Sequence, residues 1–461
     1  MPQSDRAGFI KHFLYVFGAQ IFVLMSGLFK ALLVPIVLGV EDFGYWQIYV
    51  FYTVYIGFFT LGYNDGIYLR YGGMKWVGLP KQRLRTTNAI YLLLMALFTG
   101  AILGIAFTLS EGDRQFIFVG VALNIFILGF ISNVSLTLQA VNRLKVYAAL
   151  TSADKVFFTI ALLALFNESF RSFQYLVIVD VASKLVVMIF LGYAYRPLFL
   201  GQMVRLKEGL QEFSESVRAG IQLMLANISG MLVLGVGRLI IEYFGALENY
   251  SHYAFSISLT NIVLISISAL SIVLYPARYF NSINKAYLGF AVLMLTTYFM
   301  AVIFVKNVAI SYSPVLEFLN VIFAITVLQG KMQLVNNTYY KALRLERQML
   351  VANFSSLLIV AAVSVLGYYM SQSILVIAYS AFATMVFRVY SSEIFLRKKI
   401  TGTLTLRPLW EILILLGFLA ITTFAPNTVA AIIWLNLIFI TAWFYRTVLI
   451  AYFLKIKGQF S

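Results

Sequence analysis

The residues with the most chemical potential in this chain are charges set inside long apolar runs. Seven basic side chains lie there: Lys30, Lys155, Lys184, Arg238, Lys331, Arg388 and Arg446. The carboxylates well inside such runs are Asp154 and Asp180, with Asp65 and Glu242 nearer the ends. A charge in hydrocarbon is costly, so it is either paired or faces a hydrated path. Cations outnumber carboxylates, which points to a cavity lined with positive charge and an anionic ligand. Lys30 and Arg238 are the leading candidates to line it, because they fall in the first and seventh apolar runs. A second layer is polar but neutral. Gln329, Gln333, Asn336 and Asn337 fall on one face of a helix, and Ser258, Asn261, Ser268 and Ser271 recur in an earlier run. Amides and hydroxyls of this kind suit sugar hydroxyls, and they also join helices to one another.

Each charge has a structural alternative. Asp180 and Lys184 are four residues apart, the spacing and order of a favourable ion pair on one helical face. Asp154 and Lys155 occupy the neighbouring run, so a charge cluster between the two runs is expected. Asp154 and Asp180 are equally the candidates for an ion-coupling site. Glu242 lies one turn beyond Arg238 and could neutralise it. Lys331, Arg388 and Arg446 are each about two turns from a run's end. From there, long side chains can reach the headgroups.

Other chemistries are excluded or disfavoured. There is no cysteine, and the two histidines, His12 and His252, are far apart. Thiolate catalysis, disulfides and iron–sulfur clusters are therefore out, and a histidine-based metal site is not expected. No G-x-x-x-x-G-K-[ST] phosphate loop occurs, and no cofactor is implied. Neither a TVGYG filter nor a helix with arginine at every third position is present, so a channel is not indicated.

These residues sit in a chain of 461 residues that is 61% hydrophobic and 11% charged. A soluble domain is roughly 45–50% apolar and about 25% charged, so the excess apolar surface must face lipid. Apolar runs of about 20 residues give about fourteen membrane spans. The first six are near 13–38, 44–69, 87–110, 116–139, 147–167 and 174–195. Six more follow near 217–243, 251–276, 286–305, 314–338, 349–370 and 373–396, and two near 409–424 and 429–453. Arg6 and Lys11 precede a first run too long for a signal-peptide core, so it is expected to remain as a span. The runs are continuous, which favours helices over a β-barrel. The partition expected is a six-helix lobe over 1–196, a polar cytoplasmic connection over 197–216 and a second lobe over 217–396. A basic loop, two further helices and the tail occupy 397–461.

Lys and Arg set the orientation. One set of loops carries Arg70, Lys75, Lys81, Arg83 and Arg85, and on the same side Arg143, Arg196, Arg205, Lys341, Arg397 and Lys399. The opposite set carries only Arg114, Arg171 and Lys306. Both termini are therefore expected in the cytoplasm, and the net charge of +16 is read as contact with anionic phospholipids, not nucleic acid. The outer loops are very short, which disfavours a membrane glycosyltransferase with an external catalytic carboxylate.

The segment Leu33-Val34-Pro35-Ile36-Val37-Leu38-Gly39-Val40-Glu41-Asp42-Phe43-Gly44-Tyr45-Trp46 resembles the end of the first span in bacterial polysaccharide flippases. There, an "LG-x-x-x-(Y/F)-G" turn leads into span two. Leu61-Gly62-Tyr63-Asn64-Asp65-Gly66-Ile67-Tyr68-Leu69-Arg70 is similar to the family's "LG-x-x-x-(A/G)-I-x-(R)" segment. These proteins form the polysaccharide-transport branch of the MOP superfamily, related to MATE exporters and the lipid II flippase. The resemblance implies an all-α polytopic fold of two six-helix lobes around a central cavity, with two additional helices. It implies transport of an undecaprenyl-diphosphate-linked oligosaccharide such as an O-antigen precursor to the outer leaflet of the bacterial inner membrane, not enzymatic catalysis. Alternating access would be coupled to H+, Na+ or the membrane potential. Polymerase or glycosyltransferase partners are a further implication. Lys30 and Arg238 would contact the diphosphate, with Lys331 and Arg388 next. A MATE-like exporter of organic cations is the alternative. It would call for unpaired carboxylates in the membrane.

Overall fold

The computed structural model describes residues 3–143, 155–273, 280–400 and 407–438. All regular structure among them is helical: α1 (Gln3–Val54), α2 (Tyr63–Tyr71), α3 (Lys81–Leu109), α4 (Gly112–Ala140), α5 (155–162), α6 (Phe173–Ala194), α7 (Leu206–Phe244) and α8 (Leu247–Val273). Then come α9 (Phe280–Asn307), α10 (Leu319–Lys331), α11 (Asn337–Ala342), α12 (Glu346–Ser371), α13 (Ile374–Ile400), α14 (Arg407–Phe424) and α15 (Asn427–Ile438). Among the described residues, seven helices are long and apolar enough to cross a membrane, or eight when one bent pair counts as a single span. α1 is 52 residues long, about 78 Å of helix. That is more than twice what a bilayer core of about 30 Å requires. Its break is Gly39, at φ 78° and ψ 179°, a backbone conformation that costs glycine little. The first two spans expected from the sequence therefore meet at the expected turn.

The chain packs as two units. The first comprises Met1–Phe255 and Glu346–Leu357; the second comprises Ser256–Leu345 and Leu358–Ser461. Of the three boundaries, one runs through α8, one falls at the start of α12 and one runs through α12, and none falls at the polar stretch 197–216. Much of that stretch is helix. α7 begins at Leu206 and runs unbroken for 39 residues, about 58 Å, so its first turns extend beyond a bilayer's apolar core. The charges there (Lys207, Glu208, Glu212, Glu215) make a solvated helix look like a connection. The shorter connection before it is tied to α3. Arg85 donates from Nε to the Pro197 carbonyl at 2.9 Å and from a terminal nitrogen to that of Gln202 at 3.0 Å. Asn88 donates to Leu198 at 3.1 Å.

Within the first unit, α2 and α7 meet backbone to backbone. Gly62 and Gly66 of the α2 region face Ser216 and Gly220 of α7. A Cβ added at Gly66 would land on the carbonyl of Ser216, and one added at Gly220 on Gly62 O and Gly66 N. Two small-x-x-x-small pairs facing each other permit this approach. The glycines of the Leu61–Arg70 motif are therefore a packing device. Gly62 also has φ 77°, which breaks the second expected span (44–69) between a 3₁₀ turn at Tyr55–Thr60 and α2. The seam ends in charges. Arg70 pairs with Glu212 at 2.7 Å and Glu215 at 2.8 Å, and Tyr71 donates to Glu212 at 2.5 Å.

In the second unit, the expected span 314–338 is a broken one. A 3₁₀ segment, Ile310–Glu317, meets the helix Leu319–Ala342 at 70°. Inside that helix, Met332–Asn336 forms a π turn. A π turn takes an extra residue per turn. It interrupts the regular α-helical spacing between Gln329 and Asn337 on which the expected stripe of four amides rests. The expected basic loop from Arg397 also begins later. α13 continues to Ile400, and Arg397 is buried within it.

Candidate functional site

Among the described residues, three groups of charged side chains lie within the long apolar helices, two in the first unit and one in the second. The first is built on Asp180 of α6. Its carboxylate accepts from Lys184 one turn on and from Tyr49 of α1 at 2.5 Å. Asn124 of α4 donates to the same Tyr49 oxygen at 2.5 Å and to the Gly120 carbonyl at 3.2 Å. The expected i,i+4 pair therefore forms, and the tyrosine and asparagine extend it into a network across three helices. Lys30 stands beside it. Its ammonium is 4.7 Å from the Trp46 ring and 4.3 Å from the Phe158 ring, distances at which aromatic faces attract a cation. Its charge also acts on Asp180. One turn before Lys30, Ser26 bonds Thr159 of α5 at 2.5 Å. Asp154 and Arg446 lie outside the described residues, as do the side chains of Ser268 and Ser271.

The second group surrounds Arg238 of α7. Its guanidinium is 5.9 Å from the Phe51 ring of α1, and its Nε is buried with no hydrogen-bond partner among the described residues. The pairing to Glu242 allowed by their spacing does not form. Glu242 instead accepts from Tyr52 at 3.1 Å. The reason is geometric: Phe51 and Tyr52 are adjacent on α1 and draw the two α7 side chains apart. Lys30 and Arg238 are likewise not brought together. Trp46 and Phe51 are five residues apart, about 140° around the helix, so the two cations lie against different sides of one helical segment.

The third group is closed. Lys331 of α10 is 1% exposed and pairs with Glu393 of α13 at 2.5 Å and with Glu411 of α14. Arg397 completes it, one turn beyond Glu393, at 2.6 Å. Tyr390 donates to Glu411 at 3.3 Å, and its ring lies 4.8 Å from the Lys331 ammonium. The adjoining cavity is about 10 Å³, room for one water at most. Lys331 therefore does not reach toward a headgroup layer. Glu393 and Glu411 are the partners that inspection of isolated runs overlooks. The i,i+4 spacing of Glu393 and Arg397 was the available signal. Arg388, on the same helix as Glu393, is also 1% exposed, with a nitrogen 3.6 Å from the Met385 sulfur. Gln329 is buried with its carbonyl oxygen unpartnered among the described residues. Asn336 donates to the Val389 carbonyl at 2.9 Å. Gln333 is only partly buried.

Comparison with known proteins rests on structure, since no protein-family profile and no curated protein matches this chain. The lipid II flippase MurJ, in an inward closed conformation, superposes with a TM-score of 0.65 over 95% of this chain and 100% of its own, at 12% identity. An inward-facing multidrug-resistance MATE transporter of the MOP superfamily gives 0.59 over 84% and 96%, at 11% identity. An outward-facing MATE transporter gives 0.57 over 85% and 94%, at 12%. The chain has the MOP-type fold. It is an all-α polytopic membrane protein, as its composition and its motifs at 33–46 and 61–70 imply.

Proposed function

We propose that this chain is a flippase. It carries an undecaprenyl-diphosphate-linked oligosaccharide from the cytoplasmic to the outer leaflet of a bacterial inner membrane, by alternating access, with both termini in the cytoplasm. The observation that carries this reading is Arg238. It is a guanidinium about 10 Å inside the end of α7, with a buried Nε that has no hydrogen-bond partner among the described residues and a tyrosine holding the nearest carboxylate on its own helix. A guanidinium's planar fork of donors suits a diphosphate, which it can bind through two parallel hydrogen bonds. The similarity in fold to the lipid II flippase MurJ supports the same class of cargo. Lys30, in the same unit, is the next candidate for contact.

The test is reconstitution in liposomes with a fluorescent undecaprenyl-diphosphate oligosaccharide, following its movement between leaflets. Arg238→Ala is expected to slow transport roughly 30-fold or more, the effect of about 2 kcal/mol from one charge-assisted contact. Arg238→Lys should retain an intermediate rate, because it keeps the charge and loses the fork. Folded wild type that moves no lipid but expels a lipophilic cation would instead make the protein a cation exporter.

A further inference from the structure

A cavity of about 350 Å³ opens in the first unit between α1, α4 and the last turns of α7. It is lined by Tyr52, Arg114, Phe118 and Glu242 and rimmed by Tyr243 and Phe244. The volume is within the roughly 300–1,000 Å³ of small-molecule sites. Two opposite charges face it. The charge of Arg114 acts on Glu242, yet no ion pair joins them among the described residues. One Glu242 oxygen takes the Tyr52 hydroxyl; the other is buried with no partner among the described residues.

Both charges also stand where helix stability would not put them. Arg114 is in the first turn of α4, and Glu242 in the last turn of α7, which has no basic residue. Helix dipoles favour the opposite arrangement, anions at the first turn and cations at the last. A ligand carrying one charge of each sign would satisfy both. The rim indicates how it arrives. Tyr243 is 83% exposed and Phe244 56%, a large aromatic surface of the kind that settles at headgroup level. By the distribution of loop charges it belongs to the face expected to be outside, so the outer-leaflet assignment rests on the proposed orientation.

From this geometry we infer that the cavity binds the headgroup of a zwitterionic phospholipid of the outer leaflet, one bearing a primary ammonium and a phosphate. The ammonium sits between the free Glu242 oxygen and the Tyr52 and Phe118 rings, which are 5.3 Å apart. Arg114 takes the phosphate. Arg238, the proposed cargo contact, does not line this cavity.

The test uses full-length protein in nanodiscs without cargo, with spin-labelled phosphatidylethanolamine and phosphatidylglycerol as probes. The bound fraction is read by electron spin resonance. The ethanolamine lipid is expected to bind in preference. Glu242→Gln should cut that preference roughly tenfold, the weight of one charge-assisted hydrogen bond, and Arg114→Gln should weaken both lipids. Lys155→Gln is a charge-removing control expected to leave the preference unchanged. Equal binding of the two lipids by wild type would overturn the assignment. So would a preference that survives both substitutions. Displacement by equimolar soluble glycerophosphoethanolamine would overturn the lipid part and assign the site to a free zwitterion. These readouts involve no transport, so they stand or fall independently of the flippase reading.

Discussion

Lys331→Met is expected to destabilise the protein by about 3–5 kcal/mol, the cost of leaving buried carboxylates without their cation. Lys331 serves two of them, Glu393 and Glu411, from a position closed to solvent. With Lys331 gone, Arg397 still holds Glu393, and Glu411 loses its ammonium partner while it keeps the hydroxyl of Tyr390. The double variant Lys331→Met/Glu411→Gln should recover most of the loss, because it restores charge balance with Glu393 and Arg397 left as a pair. The measurement is the apparent Tm of purified protein in detergent, followed by size-exclusion chromatography after heating. A single variant as stable as wild type would show that water or lipid headgroups reach the cluster. A double variant as weak as the single one would mean that packing matters here and charge does not.

The second large effect lies at the α2–α7 seam. Gly66→Ala and Gly220→Ala each place a methyl group against backbone atoms, which cannot rotate aside as a side chain can. Overpacking costs typically about 1–3 kcal/mol, and a backbone wall puts both at or above the top of that range. Separation of the seam would also pull Arg70 from Glu212 and Ser216. Gly100→Ala and Gly104→Ala are the controls: both positions are in α3 with nothing within 4 Å of a new Cβ, and both should be near neutral. Apparent Tm and the yield of monodisperse protein read the difference. If all four variants behave alike, the seam is not close-packed in the membrane.

Local pairings could be read from the sequence and distant ones could not. Asp180 and Lys184 are on one helical turn, so their pairing follows from spacing alone. Lys331 finds its partners 62 and 80 residues away, and no periodicity encodes that. Spacing also misleads where a neighbour competes. Arg238 and Glu242 have the separation of a pair, but Tyr52, 190 residues earlier than Glu242, takes the carboxylate. The apolar runs and the turn at Gly39 were visible because lipid imposes a length and a composition on each span. Within the expected connection 197–216, residues from Leu206 onward are helical yet lack an apolar run, because a helix leaving the bilayer loses that constraint and keeps its backbone pattern. The π turn at Met332–Asn336 has no composition signal, so regular helical geometry does not anticipate the change of spacing there.

The α2–α7 seam also bears on how the protein is made. Ser216 is synthesised 146 residues after Arg70, roughly 7–30 s later at about 5–20 residues per second. For that interval the nascent chain carries a nine-residue helix too short to cross the bilayer alone, with two bare glycines and an arginine still awaiting their mate. The insertion machinery must shelter this face until the ribosome delivers α7. A chain released before Leu206 keeps it exposed, and so presents a ready mark for membrane proteases that clear unfinished products.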